Sequence, residues 1–437
     1  MMKTLAAPRA RLLLQASPAV YYYASFAALP LLGLIQTRVL TALLTQSAYG
    51  SLQLVTPIVS WCIILGGLGT PQFLIRFYSR DGMAVFWEGL STGLIATAVL
   101  AAVLAVLAIA VNPGVGDLRP GPLLAVLVVA ALFSGQLGAL IKALLRVQER
   151  HLRYNAVVVL ERLFVVAGVA ASVWIWRSRP VEAFLLGTAL GTLGIFLPVA
   201  AKRVRRWRRA VRPPAGPRLR AIAAFGAPIV GVMVLSEMYG TLSRYVIGLA
   251  GLGTEAVAQY VIGYTIATLG LQALYEPLVT YIQPRVFQAW ERNGRPKAQR
   301  LLRRYIGLYG VVGALTSLVF LAAEPWLVRA VASPAYMLQP EVFGLLLCTS
   351  FALGFYRFLA TQYLLTKRTG ELALSYLIAV ILNLLAAAAL VGAHGLFGVA
   401  LASLVSALLL CTLLWWRGRA LVGRPSMAEV DLSERPA

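Results

Sequence analysis

About twelve apolar stretches, each long enough to cross a bilayer, cut this chain into short connections, and the lysines and arginines crowd into every second one. The basic set is Lys3, Arg9 and Arg11; Arg76 and Arg80; Lys142, Arg146, Arg150 and Arg153; the runs Lys202–Arg220 and Arg285–Arg304; Lys367 and Arg368; and Arg417, Arg419, Arg424 and Arg435. The alternate connections hold only Arg119, Arg177, Arg179 and Arg329, while Arg38, Arg162, Arg244 and Arg357 lie inside apolar stretches. Such alternation follows the positive-inside rule. It predicts a multi-pass protein of the cytoplasmic (inner) membrane with both termini in the cytoplasm.

Composition agrees. Sixty per cent of residues are hydrophobic and 13% charged, whereas a soluble domain carries about a quarter charged. The net charge of +23 is split among separate loops instead of forming one face, which argues against nucleic acid and for anionic membrane lipids as partners. Cys62, Cys348 and Cys411 sit in apolar runs without metal-ligand spacing, and His151 and His394 stand apart, so neither disulfides nor a metal site are expected. The first stretch outruns the core of a signal peptide, about 7–15 residues, and is read as a retained span.

A span needs about 20 apolar residues. The expected spans are Ala19–Leu44, Leu52–Leu74, Ala84–Val111, Gly121–Leu145, Ala156–Trp176, Val181–Ala201, Ala221–Leu249, Ala256–Gln283, Tyr305–Ala323, Val342–Thr366, Leu372–Val391 and Leu396–Trp416. The fold class is therefore an all-α polytopic membrane protein, about twelve transmembrane helices in two pseudo-symmetric six-helix lobes. Residues 1–201 are the expected first lobe, 202–220 a basic cytoplasmic linker, 221–416 the second lobe and 417–437 a cytoplasmic tail. The linker carries Pro213, Pro214 and Pro217 and no acid, and is read as topogenic, with Trp207 at the interface. The stretch Arg285–Tyr305 mixes apolar and basic residues and is expected to lie along the membrane as an amphipathic helix.

The two halves share a pattern. Thr37–Val55 and Ser243–Gly263 each place an arginine before the outer end of a span, then a turn, then a tyrosine (Tyr49, Tyr260) opening the next span; Pro71 and Pro284 follow at matching places. Parallel repeats of this kind suggest a transporter with its site between the halves.

Four segments carry a family resemblance: Thr37–Arg80, Leu144–Leu163, Ser243–Tyr264 and Thr361–Ser406, the last with Asn383 mid-span and a Gly395/Gly398 turn. Over nearly its whole length the chain resembles the polysaccharide (O-antigen and exopolysaccharide) flippases of the multidrug/oligosaccharidyl-lipid/polysaccharide exporter superfamily. The resemblance implies alternating access and a polyprenyl-diphosphate-linked oligosaccharide as substrate, with other glycan-assembly membrane proteins as possible partners. Drug-exporting members commonly carry an acid in the first span, and none lies between Ala19 and Leu44 here. The lipid II flippase branch usually has two further spans, which this chain lacks.

An ionisable side chain at the bilayer centre costs about 2.5–3.5 kcal/mol or more, so each is a functional candidate. A diphosphate crossing hydrocarbon needs cations, and arginine forks two hydrogen bonds onto phosphate. Arg38 and Arg244, at matching places in the halves, are candidate ligands for diphosphate or acidic sugars; the alternative is snorkelling to the interface. Arg357, too deep to snorkel, and Glu237 at similar depth are further substrate-binding candidates; the alternative is a structural ion pair between the two. Glu237 also shares a helix face with Arg244. The neighbours Glu161 and Arg162, and Glu276 ahead of Pro277, are coupling candidates, the coupling cation being a proton or sodium; no other cofactor is expected. Glu88 is read as favouring a helix N-terminus, and Gly187 and Gly191 as helix-packing residues. Tyr264 and Tyr356 are the deeper tyrosines, suited to stacking on sugars. The others, including Tyr21, Tyr22 and Tyr23, read as interfacial anchors.

No Walker loop, HExxH or nucleophile triad is present in the sequence, so no enzyme is expected. The rival within transport is an ion-coupled exporter of small amphiphiles, which needs a deep acid in the first half. A membrane glycosyltransferase or polymerase would need a long outer loop with paired catalytic groups, and the loops here are short. A non-transporting scaffold would not need deep charges.

Overall fold

The computed structural model describes residues 18–111, 122–148, 150–201, 216–366 and 368–422. Lys3, Arg9, Arg11 and Arg119, most of the basic linker and the tail beyond 422 lie outside them. In chain order the helices are α1 (Pro18–Leu43), α2 (Gln46–Gly67), α3 (Thr70–Asp81), α4 (Met83–Val111), α5 (Pro122–Val147), α6 (His151–Ile175) and α7 (Pro180–Ala201). They continue as α8 (Gly216–Leu249), α9 (Gly253–Asn293), α10 (Arg295–Ala322), α11 (Glu324–Val331), α12 (Pro340–Leu365) and α13 (Thr369–Val422). Among the described residues, nine helices are long and apolar enough to span a bilayer. With α1, α8 and the two arms of α13, this is a two-lobed bundle of twelve crossing segments. Below, the end of the bundle bearing the α1–α2, α8–α9 and α12-preceding connections is called distal; the opposite end is proximal.

Four expectations need correcting in detail. The second apolar stretch is not one helix. Leu68 and Gly69 both take positive φ (46° and 70°), which ends α2, and Pro71 in the first turn of α3 favours a fresh start. The break lets the chain touch the other half closely: a Cβ on Gly69 would lie 2.7 Å from the Gly226 Cα. The stretch Arg285–Tyr305 forms no separate surface helix. Its first part continues α9 and its last part opens α10, divided at Gly294 ahead of Pro296. The short helix α11 and the 3-10 turn Pro334–Tyr336 were hidden inside a loop. Within the expected 202–220 linker, residues from Gly216 onward are already α8.

The last two spans are the arms of α13, which bends at Gly395 (φ 54°, ψ −133°), a conformation that glycine adopts without penalty. In the first half, α6 and α7 pack backbone to backbone: a Cβ on Gly187 would lie 2.5 Å from the Val169 Cα, and one on Gly191 2.6 Å from the Val165 Cα. These glycines serve packing, as read from the sequence.

The second half is held by α13 against α8 and α12, with α9 between α12 and the first half; α9 also packs on α1 and α2, and α8 on α2. One continuous apolar core joins the halves, with Leu40, Leu44, Tyr49 and Leu52 against Val257, Val261, Val328 and Tyr336. Towards the proximal end the core divides. Phe73, Phe86 and Leu140 belong to one cluster, and Tyr275, Val286 and Tyr309 to another. The halves meet along this distal core and again where Gly69 approaches Gly226, and a space remains between them beside α1 and α9.

Candidate functional site

That space is a cavity of about 430 Å³, within the 300–1,000 Å³ range of small-ligand sites. Three helices line it with residues one and two turns apart. These are Gly33, Gln36, Thr37 and Leu40 on α1; Tyr49, Gln53 and Thr56 on α2; and Thr265, Leu269 and Gln272 on α9. Residues at i, i+4 and i+7 share one helix face, so each helix presents a stripe of amides and hydroxyls. From α6, Arg162 enters, with Phe184 of α7 beside it.

Arg162 is the one charged residue among the described residues that line the cavity. Its Nη2 would lie 3.7 Å from a Cβ on Gly33; the missing side chain gives the guanidinium room beside α1. Its sequence neighbour Glu161 does not neutralise it. Glu161 Oε2 instead accepts from Lys142 Nζ of α5 at 2.8 Å. Adjacent helical residues point about 100° apart, so Glu161 reaches Lys142 on α5 while Arg162 turns to the cavity.

The other sequence candidates lie elsewhere. Arg38 is exposed, and its Nη1 donates to the Ala332 carbonyl at 3.0 Å. Arg244 donates from Nη1 to the side-chain oxygen of Gln53 at 3.0 Å and to the Gln53 carbonyl at 3.3 Å. Each of these matched arginines thus ties its own half to the other. Arg357 pairs with Glu276 of α9, its Nε donating to Oε1 at 2.9 Å, and not with Glu237 as expected. Position 276 is one turn beyond Gln272 on α9, within reach of α12, whereas Glu237 lies on α8. Tyr356 packs edge-on against Tyr376 at 5.3 Å, and Tyr264 stacks on Tyr260 at 6.4 Å. Both are in the second half, and neither lines the cavity. Of the sequence candidates, then, the structure brings only Arg162 to the cavity wall. Gln36, Gln53 and Gln272 went unnoticed, although amides inside apolar spans were a readable signal.

The distal end is shut by a seam between the halves. Ser47 Oγ and Thr254 Oγ1 are 2.7 Å apart; Gln46 Nε2 donates to the Ala335 carbonyl at 3.2 Å; Thr41 Oγ1 donates to the Val331 carbonyl at 3.3 Å; and Tyr245 Oη donates to the Leu54 carbonyl at 2.7 Å. Below the seam Tyr49, 1% exposed, meets Tyr336 edge to face at 5.9 Å. Gly50 brings the helices together here: a Cβ on it would overlap the Thr254 carbonyl oxygen at 1.8 Å.

In fold the chain is similar to a multidrug resistance MATE family transporter of the MOP superfamily in an inward-facing conformation (TM-score 0.72, 14% identity, covering 91% of this chain and 98% of that one). It is also similar to such a transporter in an outward-facing conformation (TM-score 0.65, 14% identity, 93% and 95% covered). A third similar structure is the lipid II flippase MurJ in an inward closed conformation (TM-score 0.68, 13% identity, 96% and 93% covered). No curated protein sequence matches it. Residues 19–290 match the family described as polysaccharide biosynthesis protein, and this stretch, more than half of the chain, includes every cavity-lining residue named above. The chain therefore belongs to the polysaccharide biosynthesis protein family.

Proposed function

We propose that the protein is a flippase that carries a polyprenyl-diphosphate-linked oligosaccharide across the cytoplasmic membrane by alternating access, its headgroup held in the cavity between the lobes. The observation that carries this reading is Arg162: a guanidinium at the wall of a polar inter-lobe cavity, with its neighbouring acid already paired to Lys142. A cation held there in low dielectric is a standing attraction for an anion, and guanidinium geometry fits phosphate oxygens. Arg38, Arg244 and Arg357 hold the protein together in the state described; Arg244 acts on the site through Gln53. The basic connections rest on anionic lipids at the cytoplasmic face, with both termini there.

The alternative is an ion-coupled exporter of small amphiphiles. Such coupling needs a free acid facing the cavity. Glu161 and Glu276 both hold cations, and the described residues that line the cavity include no carboxylate, which favours the flippase.

The test is translocation of a polyprenyl-diphosphate-linked glycan in proteoliposomes, read as protection from a membrane-impermeant phosphatase. Arg162→Ala is expected to slow it by about 10- to 100-fold, the worth of a charge-assisted hydrogen bond. Arg162→Lys should recover part of the rate, since lysine keeps the charge and loses the fork. Unchanged translocation by Arg162→Ala refutes the reading.

A further inference from the structure

The cavity wall holds more than its one cation. Gln36 lines the cavity from α1. Gln53 is oriented by Arg244. Arginine only donates, so the Gln53 atom facing it is the oxygen, and the NH2 of that amide is free for the cavity. Gln272, Thr56 and Thr265 add donors and acceptors from two more helix turns. The polar part of the described wall is thus one guanidinium with neutral groups that both give and accept hydrogen bonds, as the hydroxyls of a sugar do, set among apolar residues such as Leu40, Phe184 and Leu269.

We infer that the cavity is built for an uncharged sugar attached directly to the diphosphate, and that it discriminates against acidic sugars at that position. This rests on the flippase reading and names the substrate class of the same site. The diphosphate engages Arg162, and the ring hydroxyls pair with Gln36, Gln53, Gln272, Thr56 and Thr265. Among the described residues that line the cavity, a sugar carboxylate would find no cation besides Arg162, and an unpaired charge in such a site is strongly disfavoured. The volume of about 430 Å³ admits a sugar ring with its phosphates and excludes a long glycan, whose remainder must extend outside it.

The experiment is competition binding to the purified full-length protein in nanodiscs, with three probes: a polyprenyl diphosphate without sugar, one bearing a neutral hexose, and one bearing a hexuronic acid. The wild type should bind the neutral-sugar probe at least tenfold more tightly than the uronic one. In Gln36→Leu/Gln272→Leu the advantage of the neutral-sugar probe over the sugar-free one should shrink at least fivefold, in protein that keeps the wild-type unfolding temperature. Equal wild-type affinity for neutral and acidic probes overturns the inference, and needs no variant. If the sugar-free probe also binds equally to wild type and Arg162→Ala, the flippase reading fails with it. If Arg162→Ala weakens every probe while neutral and acidic sugars remain equal, only the sugar inference falls.

Discussion

Arg244, on the second half, forks both of its hydrogen bonds onto Gln53 of the first: one to the side-chain oxygen at 3.0 Å and one to the backbone carbonyl at 3.3 Å. Gln53 in turn lines the cavity. The arginine is therefore a positioning residue, one step removed from whatever the cavity holds. Arg244→Ala should lower translocation about tenfold, and Gln53→Leu by a similar factor. The two should combine to little more than either alone, because linked residues are not additive. Translocation rates of both single variants and the double variant decide the matter; simple multiplication of the two losses would separate Arg244 from Gln53.

The seam at the distal end offers a direct control on movement. Ser47 and Thr254 hydroxyls are 2.7 Å apart, close enough for a disulfide between cysteines there. Ser47→Cys/Thr254→Cys should cross-link under mild oxidation, stop translocation, and regain it on reduction. Full activity in the cross-linked protein would show that the seam stays closed during transport.

Gly50 sets how tightly the seam shuts. Its missing side chain leaves space that the Thr254 carbonyl fills. Gly50→Ala should push the helices apart at this end and lower the yield of the 47–254 cross-link several-fold. Mass spectrometry of the oxidised triple variant measures this; an undiminished yield would mean the contact is not limiting.

Arg357 and Glu276 test the cost of half an ion pair. Both lie within membrane-spanning helices, Glu276 on α9 and Arg357 on α12. Arg357→Leu alone should destabilise the protein by about 1–3 kcal/mol, because it strands a carboxylate. Arg357→Leu/Glu276→Leu should recover most of that, seen as thermal unfolding midpoints in one detergent. A double variant less stable than Arg357→Leu would mean the pair contributes beyond mutual neutralisation.

Much of the fold is legible in the sequence because hydrocarbon demands long apolar segments and basic residues mark one side. The starts of α5 at Pro122 and α7 at Pro180, for example, fall within a residue of those read from hydropathy. What escapes is backbone detail. The positive φ of Leu68, a residue that rarely adopts it, splits the second stretch because of a contact with Gly226 that is remote in sequence. The deep charges were visible, but their partners were not. Arg357 could meet Glu237 or Glu276 by depth alone, and only the packing of α9 against α12 selects Glu276. The polar part of the cavity wall is chiefly glutamine and threonine, which hydropathy barely registers.

The seam between Ser47, Gln46, Thr41 and Arg38 and their opposite numbers uses main-chain carbonyls and a hydroxyl as acceptors, with no carboxylate among them. Each such link has a net worth of about 1 kcal/mol because water replaces it readily. A clasp of this kind can be undone and remade in every cycle without a large barrier, and little of its strength should depend on ionic strength. It behaves as a zip fastener that solvent itself can open, in contrast to a bolt of buried ion pairs.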